Sequence, residues 1–313
     1  MDAARYRVVH ETHYTYAAPV LLSQQLAHLR PRTCPWQQCE THRLSFSPPT
    51  SEWRERVDYF GNAEVFVVIE TPHDELIVRA ESRVTVIRHA VDLARTGSPS
   101  WESVGTGLHA AADEAALDAC RYLFESPHIK ATPALAQLTQ PAFRPGRPLL
   151  EATHALCRAI YRGFEFDPHA TTVATPLEEV IARRRGVCQD FAHLAIACLR
   201  SLGLAARYVS GYILTVPPPG RPRLVGADAS HAWLSVFVPG LGWADFDPTN
   251  DLLPDLQHVT LAWGRDFSDI SPLRGVILGG GEQEIDVRVT VEPIDALPAK
   301  SPPSDTTRQP AGG

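Results

Sequence analysis

The segment Arg185-Gly186-Val187-Cys188-Gln189-Asp190-Phe191-Ala192-His193 puts a cysteine at the start of an expected helix. At a helix N-terminus the unpaired backbone N–H groups and the positive dipole end favour thiolate over thiol, the form that attacks carbonyls. The same N–H groups can receive the oxyanion that such an attack creates. Gly186 would let the chain turn tightly just before the cysteine. A thiolate nucleophile needs a partner that takes and returns protons near neutral pH, which is histidine chemistry. His231, in Asp228-Ala229-Ser230-His231-Ala232-Trp233-Leu234, lies in a strand-like run and shares a face with Trp233, Ser235 and Phe237. A third group must hold its tautomer. Asp245 and Asp247 share one face of the next strand-like run, and strand phase alone leaves both open.

The hairpin between these runs sets a geometric condition. A tight loop pairing Val238 with Trp243 would place Asp247 opposite Leu234. His231 would then lie three residues further along, roughly 10 Å at ~3.4 Å per residue. Direct contact therefore calls for a longer loop or a bulge near residues 237–241.

The remaining reactive residue types read as structural. Cys157 and Cys198 sit mid-helix on apolar stripes and belong to a core. Cys34 and Cys39 flank Pro35-Trp36 with a spacing that suits neither a zinc knuckle nor a thioredoxin-like pair. His193 is five residues beyond Cys188, which on a helix turns it well away. Asp190 reads as a favourable charge at the helix start, and Arg265 with Asp266 as a structural ion pair. No Asp-rich calcium loop of the EF-hand type is present, and thiol chemistry requires no metal or other cofactor.

The elements that must position these residues follow from periodicity. Residues 5 to about 90 are β-rich: Leu76, Val78, Ala80, Val84 and Val86 alternate with charged residues, and shorter runs surround Tyr14–Tyr16, Leu44–Phe46 and Val65–Val68. A linker at 95–100 precedes a helix through Leu149, Leu156 and Ile160, and a second over about 188–202 stopped by Gly203. Strand-like runs at 205–214 and 231–238 flank the proline-rich loop 216–222, and the Pro/Ser/Gly-rich tail from 296 is expected to be disordered. The fold class expected is α+β. Its parts are a β-rich unit over 1–95, shaped as a small sandwich or barrel, a catalytic unit over 96–295 and the tail 296–313. In the catalytic unit the Cys188 helix is expected to pack on an antiparallel sheet.

The chain has 313 residues, 44% of them hydrophobic and 21% charged, ordinary values for a globular protein with a sizeable core. A net charge of -7 gives no basic footprint for nucleic acid or anionic membranes. Neither a secretory h-region nor a long apolar span is visible. Six cysteines are too sparse for a disulfide scaffold, so a cytoplasmic protein with reduced thiols is expected.

The runs Gly186–Ala192, Ala206–Tyr212, His231-Ala232-Trp233, Gly242-Trp243 and Asp247-Pro248-Thr249 together resemble the transglutaminase-like core. The resemblance implies a papain-like core with Cys188, His231 and Asp247 as nucleophile, base and orienting acid, the last because the family's acid immediately precedes Pro-Thr. Upstream, Tyr6–Tyr16 and Asp58-Tyr59-Phe60-Gly61-Asn62 resemble the β-rich N-terminal region of the bacterial branch. Gly264–Phe267 and Ser271–Val276 resemble its C-terminal part. Members of that branch are commonly described as cysteine proteases, so the resemblance implies hydrolysis of an amide in a peptide or protein substrate, with transamidation to an amine or a non-catalytic protein-binding scaffold as alternatives.

Overall fold

The computed structural model describes residues 2–110, 113–215 and 229–295. The loop 216–222 and the tail 296–313 fall outside them. Five strands come first: β1 (Ala3–Ala27), β2 (Gln37–Ser47), β3 (Glu52–Val57), β4 (Ala63–Ile69) and β5 (His73–Ile87). They form a curled antiparallel sheet in the order β2-β5-β1-β4-β3. The β1 strand is 25 residues long and is shared along its length. Ala3 to Thr15 pairs with β5, and Ser23 to Ala27 pairs with β4. The register shifts between Thr15 and Val20, where Ala17-Ala18-Pro19 interrupts the alternation.

Helices α1 (Trp101–Ala110), α2 (Glu114–Cys120), α3 (Ala136–Ala142), α4 (Leu149–Gly163) and α5 (Leu177–Arg183) lead to the short paired strands β6 (Glu165–Phe166) and β7 (Arg185–Gly186). Helix α6 (Cys188–Ser201) is buried continuously from Asp190 to Arg200. It packs on a second antiparallel sheet of β8 (Ala206–Ile213), β9 (Ala229–Val238), β10 (Gly242–Phe246) and β11 (His258–Gly264), in the order β10-β9-β8-β11. This is the helix-on-sheet core expected from the sequence, and the whole is α+β.

The chain then returns to its beginning. After α7 (Phe267–Ile270), strands β12 (Leu273–Gly279) and β13 (Gln283–Pro293) both pair with β1. Residues 273–293, assigned by sequence to the 96–295 unit, are thus hydrogen-bonded into the first sheet. The reason is that β1 has a free edge along both halves once β4 and β5 are paired, and these strands satisfy it. One apolar cluster lies inside the curled sheet, around Val67, Ile69, Leu76 and Val78. The other joins α4, α6 and the second sheet to the near half of the first. No helix among the described residues is long and apolar enough to cross a membrane.

Candidate active site

Cys188 opens α6 because the residues before it cannot continue the previous helix. Arg184 ends α5 in the left-handed conformation, with φ 51°. Asp190 then folds back so that its Oδ2 accepts from the Val187 N–H at 2.9 Å and from the Thr171 hydroxyl at 2.6 Å. Gly186 makes this possible through space rather than a tight turn. A Cβ there would lie 2.7 Å from Asp190 Oδ2. Burial raises the Asp190 pKa, against the pull of those two hydrogen bonds.

His231 stands on β9, opposite Gly211 of β8. Its Nε2 meets Asp247 Oδ2 at 2.8 Å, and Cys188 hydrogen-bonds the same imidazole. With Nε2 turned to the acid, the other ring nitrogen is the one left for the sulfur. Burial pushes the imidazole pKa down, but hydrogen bonds to Asp247 and Cys188, and the charges of both, overcome this and raise it to about 10. Asp247 is fully buried. Burial would raise its pKa, yet hydrogen bonds from His231 and His258, with their charges, hold it well below the usual carboxylate range. Cys188 itself is half-buried.

The hairpin that joins these residues differs from the bulged form expected. The pairs run from Gly242 with Val238 to Phe246 with Leu234 without a break in register. The loop is Pro239-Gly240-Leu241, one residue shorter than a Val238–Trp243 pairing would give. This moves Asp247 one position closer to His231. The remaining gap closes because the chain leaves the strand at Asp247, whose backbone bridges to Leu252 across a turn. That turn aims the carboxylate: Oδ1 accepts from the N–H groups of Thr249 at 2.9 Å and Asn250 at 3.3 Å.

Asp245 is occupied elsewhere. It accepts from Trp233 Nε1 at 3.1 Å and from the Ser235 hydroxyl. It also faces the buried Arg207, whose pKa burial lowers to about 10 while Asp245 opposes the fall. Arg207 lies between the rings of Trp243 and Trp263. Trp233 is fully buried, and Gly211 admits it, since a Cβ there would fall 2.4 Å from the ring. His193 points away from the sulfur: its Nε2 accepts from the Phe267 N–H at 3.2 Å, and burial holds its pKa near 3. Cys157 and Cys198 are buried, and all six cysteines are free. Arg265 departs from expectation. It pairs with Asp269 at 2.8 Å, one helical turn on, whereas Asp266 turns inward to cap α7 and to accept from the His128 N–H.

Two residues at the site were not anticipated. Asn250 donates to Asp247 Oδ2 at 2.7 Å and lies 3.3 Å from His231 Nε2. Its place three residues after Asp247 in a turn sequence was the available signal. His258 reaches the same oxygen at 3.4 Å from a strand eleven residues away, with no local signature. His231, Asp247 and His258 offer three ligand atoms within 4.8 Å of one another, a spacing that suits a divalent ion. The Asp247 carboxylate, however, already accepts from five protein groups, which saturates its lone pairs without an ion.

Comparison with known proteins agrees with this architecture. Residues 6–85 match the bacterial transglutaminase-like N-terminal region, and residues 136–248 match the transglutaminase-like superfamily core. Among relatives, an uncharacterized protein Rv2569c of Mycobacterium tuberculosis is 41% identical over 306 residues, covering 94% of this chain and 95% of that one. An uncharacterized protein ML0607 of Mycobacterium leprae is 31% identical over 291 residues, covering 92% and 98%. Among solved structures, a proposed cysteine protease from Cytophaga hutchinsonii shares the fold with a TM-score of 0.70 at 21% identity, covering 95% of this chain and 92% of that one. A cysteine at a helix start, a histidine on the facing sheet, an acid ahead of Pro-Thr and these matches along nearly the whole chain lead to one assignment: the protein belongs to the transglutaminase-like superfamily, with the bacterial N-terminal region ahead of its core.

Proposed function

We propose that this protein is a thiol-dependent acyl-transfer enzyme that hydrolyses a peptide or isopeptide bond through Cys188, His231 and Asp247. The observation that carries the proposal is the His231 imidazole, bound on one side by Asp247 and on the other by Cys188 at the start of α6. The reacting form pairs the Cys188 thiolate with the His231 imidazolium, whose raised pKa keeps it protonated. The thiolate attacks the amide carbonyl, and the oxyanion is received by backbone N–H groups of the first turn of α6. The C–N bond breaks as the imidazolium gives its proton to the leaving amine, which leaves a thioester and a neutral imidazole. Water then attacks, losing a proton to His231, and cleavage of the C–S bond restores thiolate and imidazolium. Asp247 stays ionised throughout and holds the ring.

An amine in place of water would make the second step a transamidation with the same residues. The description of the Cytophaga hutchinsonii protein favours hydrolysis. A cytoplasmic setting suits six unpaired thiols. The test incubates the protein with peptide libraries, with and without an added primary amine, and reads the products by mass spectrometry. Cleavage at defined bonds, absent in Cys188→Ala, is the expected result. A mass gain of amine minus ammonia would identify the transamidase, and no product in either arm would leave a protein-binding scaffold.

A further inference from the structure

Of the groups that converge on Asp247, His258 is a buried titratable side chain for which the proposed chemistry has no use. Its ring is almost fully buried at the start of β11, edge-on to Trp233 at 5.3 Å and tilted against His231 at 6.0 Å. Its Nε2 faces Asp247 Oδ2, while its Nδ1 has no hydrogen-bond partner among the described residues. We propose that His258 is a positioning residue: as the neutral Nε2–H tautomer it donates to Asp247 Oδ2 and holds that carboxylate against His231. This rests on the triad reading given above.

The tautomer follows from the partners. An ionised carboxylate only accepts, so the proton between the two groups belongs to Nε2. Burial lowers the His258 pKa, although the nearby Asp247 and Asp245 charges act the other way, and the ring stays neutral beside the charged His231. A neutral donor suits this place, because a second imidazolium would compete with His231 for the same oxygen. Packing alone does not account for the residue. A phenyl ring would fill the space beside Trp233 without leaving a buried nitrogen unpaired, so the gain lies in the N–H.

The N-terminal sheet sets where this donor stands. The β8–β11 register shifts between Thr260 and Ala262. At that irregularity the Gln37 side chain accepts from the Thr260 N–H at 2.8 Å and donates to its carbonyl at 2.7 Å. The Arg32 N–H adds a bond to the same carbonyl at 3.1 Å. Two residues along the strand from Thr260, His258 inherits this alignment, so the first sheet reaches the acid of the site through one edge strand.

The test follows imidazole nitrogen shifts with pH in the full-length 15N-labelled protein, in wild type, His258→Phe and His258→Gln. The wild-type His258 signal should be that of the neutral Nε2–H form. In His258→Phe, Asp247 Oδ2 loses one donor while Thr249 and Asn250 still hold the carboxylate, and the His231 midpoint should move by about one pH unit, tenfold in its protonation equilibrium. His258→Gln retains a donor and should keep the midpoint near wild type. If His258→Phe does not fold, His258→Ala takes its place. An unchanged His231 midpoint in the donor-free variant, or an Nδ1–H tautomer in wild type, overturns the positioning role. Iodoacetamide labelling of the same proteins keeps the two claims apart. A midpoint shift without selective labelling of wild-type Cys188 sustains the positioning role and removes the acyl-transfer reading. Selective labelling with an unmoved midpoint removes the positioning role alone.

Discussion

His231 and Asp247 form a buried ion pair whose two members titrate in opposite directions. The Asp247 pKa falls below its ordinary 3.8, so its contribution to stability is present above that value and is lost as pH drops through the depressed one. The His231 pKa rises from 6.5 to about 10, so its contribution is complete below 6.5 and drains away as pH climbs toward about 10. Both contributions are therefore whole only between pH 3.8 and 6.5. Urea unfolding of wild type and His231→Gln checks this. The stability gap, on the order of 3 kcal/mol for a broken buried pair, should shrink steadily above the window. A gap that stays flat would show that His231 is not held charged. At this scale the three residues of the proposed triad were legible because each sits in a short motif, and the resemblance singled out Asp247 over Asp245 by the Pro-Thr that follows it. The geometry gives the physical reason: Asp245 lies inside β10 and is consumed by Trp233 and Ser235, whereas Asp247 lies where the strand ends and a turn can aim it. Asn250 and His258 were not legible, because the first depends on that turn and the second on the register of an irregular strand.

The elements that carry the triad depend on close approach at two glycines, Gly186 and Gly211. Gly186→Ala should push the Asp190 carboxylate off the Val187 N–H and lower stability by roughly 1–3 kcal/mol, as overpacking does. Gly107→Ala is the matched control. It lies in α1 with open space where its Cβ would sit, and should leave stability unchanged or raise it by up to about 1 kcal/mol. Thermal melts of the two variants decide the point, and equal effects would contradict it. Helices α4 and α6 and strands β5, β8 and β9 were readable from strong apolar periodicity. Helices α1, α2, α3 and α5 were not. The last three have only seven residues each, and α3 carries Pro141 inside it. The length of β1 was hidden by Ala17-Ala18-Pro19, which reads as a break although pairing resumes beyond it.

At the scale of the molecule, the chain closes on itself. Its last two strands complete the sheet begun by its first, and the core between them carries the site. Periodicity could not reveal this, because antiparallel partners 246 or more residues apart leave no local trace: Tyr6 pairs with Pro293 and Val20 with Gly279, while Ala27 meets Leu273. The proposed triad is likewise a product of the whole fold, since Cys188, His231 and Asp247 lie on α6, β9 and the turn after β10. Reactivity at Cys188 should therefore exist only in the folded chain. All six thiols are free, and burial pushes the Cys157 thiol up and the Cys198 thiol to about 12, which makes them internal controls. The direct measurement is the rate of iodoacetamide labelling at each cysteine, mapped by mass spectrometry at mildly acidic pH, in native and urea-unfolded protein. Rapid, selective labelling of native Cys188, lost in His231→Ala and on unfolding, is the predicted result. Slow, uniform labelling of all six cysteines in the native protein would contradict it.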